Sequence, residues 1–203
     1  MKTLMHGCAW LLLLPVFVML VSCESAPSQA EGTGGVCVPV GERAGREFGC
    51  FILATQTVGV LGDTPVYWHI SRFPTREAAV SAAPPSGTVV EAFDTVWLYV
   101  VAPAGSLPTG GERVAAIGPL PLRSGISYSA QYMEATFQPG MQTRVHRHPG
   151  PEAWYTISGE MCLETPEGAM VGRAGGEPVI VREGLPMQLT ATGTDVRRGL
   201  VLV

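Results

Sequence analysis

The chain has 203 residues, enough for one extended domain or two small ones, and 46% of them are hydrophobic, enough for a real core. Only 15% are charged, against about 25% in an average globular domain, and Gly and Pro together number 25 + 17 = 42, so short strands punctuated by turns are expected rather than long helices. The net charge of −4, with every basic residue after Lys2 an arginine and no basic stripe, excludes a phosphate-backbone binder, so nucleic acid is not an expected partner.

The N-terminus reads as an export signal over residues 1–22. Lys2 gives the positive start, and Ala9–Val21 is an apolar run too short to span a bilayer and interrupted by Pro15. Leu20-Val-Ser-Cys23 resembles the bacterial lipoprotein processing box. That resemblance implies lipidation of Cys23 and a protein of the periplasm or cell envelope, touching membrane only through its anchor. Ordinary cleavage near Ala26 or Ala30 is the rival. Residues 23–48 read as a flexible, polar tether, with order beginning near Cys37. Cys37 and Cys50 lie 13 apart, and outside the cytoplasm such a pair favours a disulfide closing that loop.

Residues 49–122 read as a β-rich region of unknown type with one short helix. Cys50–Gln56 and Val66–Phe73 are expected strands, and Thr75 caps a helix that Pro84–Pro85 must stop. Gly87–Phe93 and Thr95–Pro103 form a strand pair around a tight connection at Asp94, and Ala104–Gly125 reads as a Pro/Gly-rich link. This half is either a separate α+β unit or, as favoured here, extra strands that complete and cover a barrel formed by the second half. His69, alone on a strand, reads as a structural histidine.

Residues 123–203 read as successive short strands, including one through Thr143–His148, with turns at Pro139–Gly140, Pro149–Pro151, Ser158–Gly159 and Gly175–Gly176. Cys162 reads as a small buried strand residue. On a strand, His146 and His148 point to one face about 6–7 Å apart at the backbone, and the following turn can swing Glu152 over them. Two imidazoles and a carboxylate make a facial triad for a divalent metal. There is no nucleophile elbow, no phosphate loop before a helix and no Cys-x-x-Cys.

Pro139-Gly140-x5-His146-x-His148-x3-Glu152-x6-Gly159 resembles the first motif of the cupin superfamily. The resemblance implies an all-β, double-stranded β-helix barrel with His146, His148 and Glu152 as metal ligands. Gly176-x5-Arg182-x-Gly184-x2-Met187-x3-Ala191 resembles the second motif in part, with Met187 where the family has its histidine ligand. A thioether is a weak ligand, acceptable only for copper-like ions, and the three remaining ligands do not distinguish Fe, Mn, Zn, Ni and Cu. Met187, Trp154 and Thr156 are candidate pocket-lining residues, while Gln188 points away.

What the family implies for activity is a metal-dependent oxygenase- or isomerase-type reaction on a small organic molecule. Two alternatives stay open: a metal-free module that binds or senses a small molecule, and a structural protein of the cell envelope. A homodimer through strand edges is compatible with each.

Overall fold

A computed structural model describes residues 37–106 and 108–203. The expected signal, Cys23 and residues 23–36 of the expected tether lie outside the described residues. Short apolar runs between glycines and prolines fold into β1 (Val38–Pro39), a 3-10 turn (Val40–Glu42), β2 (Gly49–Val60) and β3 (Val66–Phe73). The helix α1 (Arg76–Ala82), β4 (Gly87–Ala92), β5 (Thr95–Pro103) and β6 (Glu112–Ile117) come next. The second half supplies β7 (Ser127–Phe137), β8 (Glu152–Ser158), β9 (Glu160–Thr165) and β10 (Gly168–Arg173). It ends with β11 (Val179–Val181), β12 (Gln188–Thr192) and β13 (Arg197–Leu202).

Local chemistry sets the element ends. Thr75 Oγ1 accepts the Ala78 N–H at 3.2 Å, satisfying one of the donors left open at the start of α1. Phe93 and Asp94, at φ 53° and 56°, make the two-residue turn that matches strand twist, joining β4 to β5. The Trp97 indole braces that turn by donating to Ala92 O at 2.9 Å.

The strands stack as three layers. The middle sheet has the order β1-β2-β7-β13-β8-β11, a short sheet β10-β9-β12 covers one face of it, and β4-β5-β3-β6 covers the other. The strip Gln142–His146 bridges to β12 at Gln142–Thr190 and His146–Met187, and so adds a fourth run to the short sheet. From β7 to β13 the chain therefore passes back and forth between two facing sheets, which is a double-stranded β-helix. Met133, Phe137, Trp154, Met161, Leu163 and Leu189 pack inside it.

Strand alternation puts the neighbouring residues on the opposite face. Tyr132, Ala153, Leu200 and Leu202 leave the barrel and pack beneath Trp68 and Tyr99 of the covering sheet. The middle sheet is thus apolar on both faces and buried on both. The aromatic centre of this second interface is tight, with the Trp68 and Tyr99 rings edge-on at 5.4 Å and the Tyr99 and Tyr132 rings at 5.0 Å.

Three expected boundaries move. Within the expected 49–122 region, β2 pairs with β7 from Gly49–Thr136 to Val60–Ser127, so it belongs to the barrel sheet. Only the stretch from β3 to β6 forms the cover. An uncovered β7 edge would leave a row of backbone groups without partners, and β2 takes that edge. Residues 37–48 belong to the fold rather than to a tether: β1 pairs in parallel with β2, Cys37 is disulfide-bonded to Cys50, and Arg43 makes an ion pair with buried Glu134. Inside the expected link, Glu112–Ile117 is a strand paired to β3, its weak alternation hidden in sequence by Gly110–Gly111 and the prolines after it.

Candidate metal centre

The strip that carries the histidines is an irregular edge rather than the regular strand expected over Thr143–His148. Thr143 N–H donates to Leu189 O at 2.9 Å, while His146 and Met187 exchange both backbone hydrogen bonds at 2.8 and 3.0 Å. Three steps on the histidine side therefore face two on β12, leaving one extra residue in between. Such a bulge bends the strand and re-aims the side chains after it. It leaves Val145 exposed and turns His146 toward the rim of the barrel.

His146 is oriented by its own turn. Its Nδ1 lies 2.7 Å from Arg144 O, and because a carbonyl only accepts, Nδ1 is the donor there and Nε2 is the nitrogen left for a metal. His148 has its ring centroid 5.1 Å away and nearly perpendicular, at 84°. Gly184 N–H, from the second motif, donates to His148 O at 2.9 Å and pins the backbone there. The Pro149–Pro151 turn then delivers Glu152 as the first residue of β8, against Val181 of β11.

One donor atom from each of His146, His148 and Glu152 falls within 4.8 Å of the others, and His148 Nε2 stands 3.8 Å from Glu152 Oε1. Donors about 2.0–2.3 Å from one cation lie about 3–4.5 Å from each other, so a small closing movement fits these three to a divalent ion. The carboxylate is 2% exposed; its Oε1 is the oxygen near His148, and its Oε2 is buried without a hydrogen bond of good geometry. Burial pushes the Glu152 carboxyl up to about 8, against the smaller opposing pull of the Trp154 indole and the Arg197 guanidinium. Burial, and then the neighbouring His146, hold His148 below its ordinary value, in the neutral form a metal requires.

The other sequence candidates are placed differently. Met187 faces His146 across the bulge but packs in the barrel interior at 2% exposure. Trp154 and Thr156 come after Glu152 on the inward face of β8 and are buried. None of the three lines the cavity that His148 borders. That cavity holds about 480 Å³, lies between the covering sheet and the barrel, and is walled by Val58, Leu120, Leu122, Leu202 and His148. Gln188 donates to Thr143 O at 3.0 Å and takes no part. His69 is buried in the covering sheet, its Nε2 on Ala102 O and Pro103 O at 3.2 and 3.0 Å.

Arg197 has no counterpart among the sequence candidates. It is fully buried, its guanidinium lies 4.6 Å over the Trp154 ring, and its charge reaches Glu152. A signal exists in Arg197-x-Gly199-x-Val201, an arginine on the inward face of an otherwise apolar strand. The glycines around it make the room: a Cβ at Gly199 would stand 2.3 Å from Arg197 Nη2, and one at Gly159 would stand 2.8 Å from the Arg197 Cα. Gly159, the last glycine of the first motif, also sits at φ 67°, so that position both turns the chain and admits β13.

No family model matches the sequence, and no curated protein matches it significantly. Among solved structures, a cupin-2 domain protein from Shewanella frigidimarina is 15% identical, over 36% of this chain and 69% of its own, with a TM-score of 0.32. An RmlC-like cupin with a double-stranded β-helix fold from Methanocaldococcus jannaschii is 20% identical, over 36% of this chain and 67% of its own, at 0.34. An oxalate oxidase in complex with the substrate analogue glycolate is 22% identical, over 36% of this chain and 40% of its own, at 0.33. Likeness at this level says nothing about what the chain binds or catalyses. It is the chain's own strand order, with the strip Gln142–His146 closing the short sheet, that makes residues 127–202 a double-stranded β-helix.

Proposed function

We propose that the protein binds one divalent metal ion at His146, His148 and Glu152 and acts through it on a small organic molecule, in an oxygenase- or isomerase-type reaction. The observation that carries this reading is the convergence of two nitrogen donors and an oxygen of the buried Glu152 carboxylate. When bound, such an ion would polarise an oxygen of the substrate or of bound water. The chain's own residues prepare for it: the Arg144 carbonyl sets the His146 tautomer, the Gly184 amide holds the His148 backbone, and the apolar interior keeps bulk water from Glu152.

The test is elemental analysis of protein purified without nickel affinity. About one metal per chain is expected, falling to near zero in a His146→Ala/His148→Ala variant that still folds. Metal-free protein, or metal unaffected by the double substitution, overturns the reading.

A second reading, a module that binds a small molecule without metal, is favoured by the cavity between the layers. Its volume of about 480 Å³ falls within the range of small-molecule sites, and its walls are largely apolar. We also propose that the protein works outside the cytoplasm, anchored through a lipid on Cys23. The Cys37–Cys50 disulfide supports an oxidising compartment. Mass spectrometry of the mature N-terminus tests this, and an unmodified N-terminus other than Cys23 rules the anchor out.

A further inference from the structure

Room for a guest lies outside the barrel, on the far face of the strand that carries Glu152. Glu152 and Trp154 point into the barrel, while Ala153 between them points the other way, into the cavity of about 480 Å³ beneath the covering sheet. Ala130, Leu202 and Ala153 form its floor on the adjacent strands β7, β13 and β8. The rings of Trp68, Tyr99 and Tyr132 fill the interface up to this point. The two alanines are too short to continue that seam, and the space stays open above them. Val101 and Leu120 close it from the cover, and the Leu120 N–H donates to Val66 O at 2.9 Å. Roof and floor are thus both fixed by backbone hydrogen bonds, so the space is preformed.

The walls select among guests. The charged side chains that reach the cavity, Arg123 and Glu183, are paired with each other at 3.1 Å. The exposed wall residues Ser127, Ser129 and Gln131 are polar and neutral. A charged guest would lose its water against the apolar floor with no unpaired charged side chain to meet it. One wall group is left half used. The Tyr128 hydroxyl accepts the Arg123 N–H at 2.9 Å, which leaves its own proton to be donated. At the mouth, Ile126 is 40% exposed and Val60, paired with Ser127, is 70% exposed, so the entrance is partly apolar as well.

We propose that the space between barrel and cover is the binding site for an uncharged, mainly apolar molecule of short-chain or single-ring size that carries one oxygen acceptor, such as a ketone. Its apolar body rests on Ala130, Leu202 and Ala153, and its oxygen accepts from the Tyr128 hydroxyl. This rests on the small-molecule reading above and gives that site its class of ligand. The guest lies on the opposite face of β8 from Glu152, so it binds whether or not a metal is present, although the two sites meet at the turn His148–Pro151.

The experiment is a calorimetric titration of the full mature chain, chelator-treated and zinc-loaded, with 2-octanone, octanoate and octylammonium. Saturable binding of 2-octanone is expected, about tenfold or more tighter than either charged analogue, the cost of stripping water from an unpaired charge. Its affinity should stay within about threefold with or without zinc, as for two sites with little coupling. Ala153→Leu fills the floor and is expected to abolish binding. Tyr128→Phe should weaken 2-octanone about threefold to tenfold, the worth of one neutral hydrogen bond. No saturable binding of any of the three molecules overturns the small-molecule reading together with the proposal. Octanoate or octylammonium binding as tightly as 2-octanone leaves that reading standing and overturns the ligand class. Binding that is unchanged in a folded Ala153→Leu variant, or lost on chelator treatment, overturns the site. If Ala153→Leu fails to fold, Tyr128→Phe decides, and 2-octanone affinity equal to wild type overturns the site.

Discussion

The two faces of the middle sheet both bury apolar side chains and use them differently. Between the covering sheet and the barrel, Trp68, Tyr99, Tyr132 and Leu200 form an aromatic seam whose polar atoms are neutral. The Tyr132 hydroxyl donates to Gln56 at 2.9 Å, while the Tyr99 hydroxyl and Trp68 indole go without partners. On the other face, inside the barrel, the groups without partners include a carboxylate and a guanidinium, and they gather beside two partly exposed imidazoles. A few orphaned neutral atoms in a seam cost stability and lead nowhere. Ionisable groups buried beside imidazoles at the barrel's edge are the arrangement on which the proposed metal site rests.

The sharpest way to break this contrast is to damage the seam. Trp68→Ala should cost about 3–5 kcal/mol in denaturant unfolding, as for other large core aromatics, while zinc affinity stays within about twofold of wild type. A matching loss of zinc affinity would mean that the two faces are not independent. Next in size is the pH response of the metal-free barrel. The Glu152 carboxyl is raised to about 8 in the folded state from an ordinary 4.5, so between those pH values the folded chain holds more protons than the unfolded one. Stability should therefore fall as pH rises through that window, by on the order of a few kcal/mol, and Glu152→Gln should flatten the difference. Thermal melts of both proteins across the window check this.

Met187→His restores an imidazole opposite His146 and should raise zinc affinity about tenfold or more in a competition titration. The same change should cost about 1–3 kcal/mol of metal-free stability, because a polar ring replaces a packed thioether. The smallest effect belongs to the cover: Thr75→Ala removes the cap on α1 and should cost about 1 kcal/mol, with no change at the metal site.

Much of the site was legible because its geometry is local. His146, His148 and Glu152 lie within seven residues, so turn and strand rules alone could bring them near each other. The bulge opposite Met187 was not legible, since an extra residue in one strand is defined only by its partner in another. Glu112–Ile117 was missed for a related reason: its pairing with β3 outweighs a weak local pattern.

Sequence by itself determined the all-β character, the turns, the helix cap and the three candidate ligands, because each depends on residues a few positions apart. Only the tertiary structure decided that β2 belongs to the barrel sheet, that the first half covers one face of it, and that Arg197 reaches back over Trp154 toward Glu152. Those facts depend on which distant strands meet, and chain-local chemistry leaves that choice to the burial of whole faces.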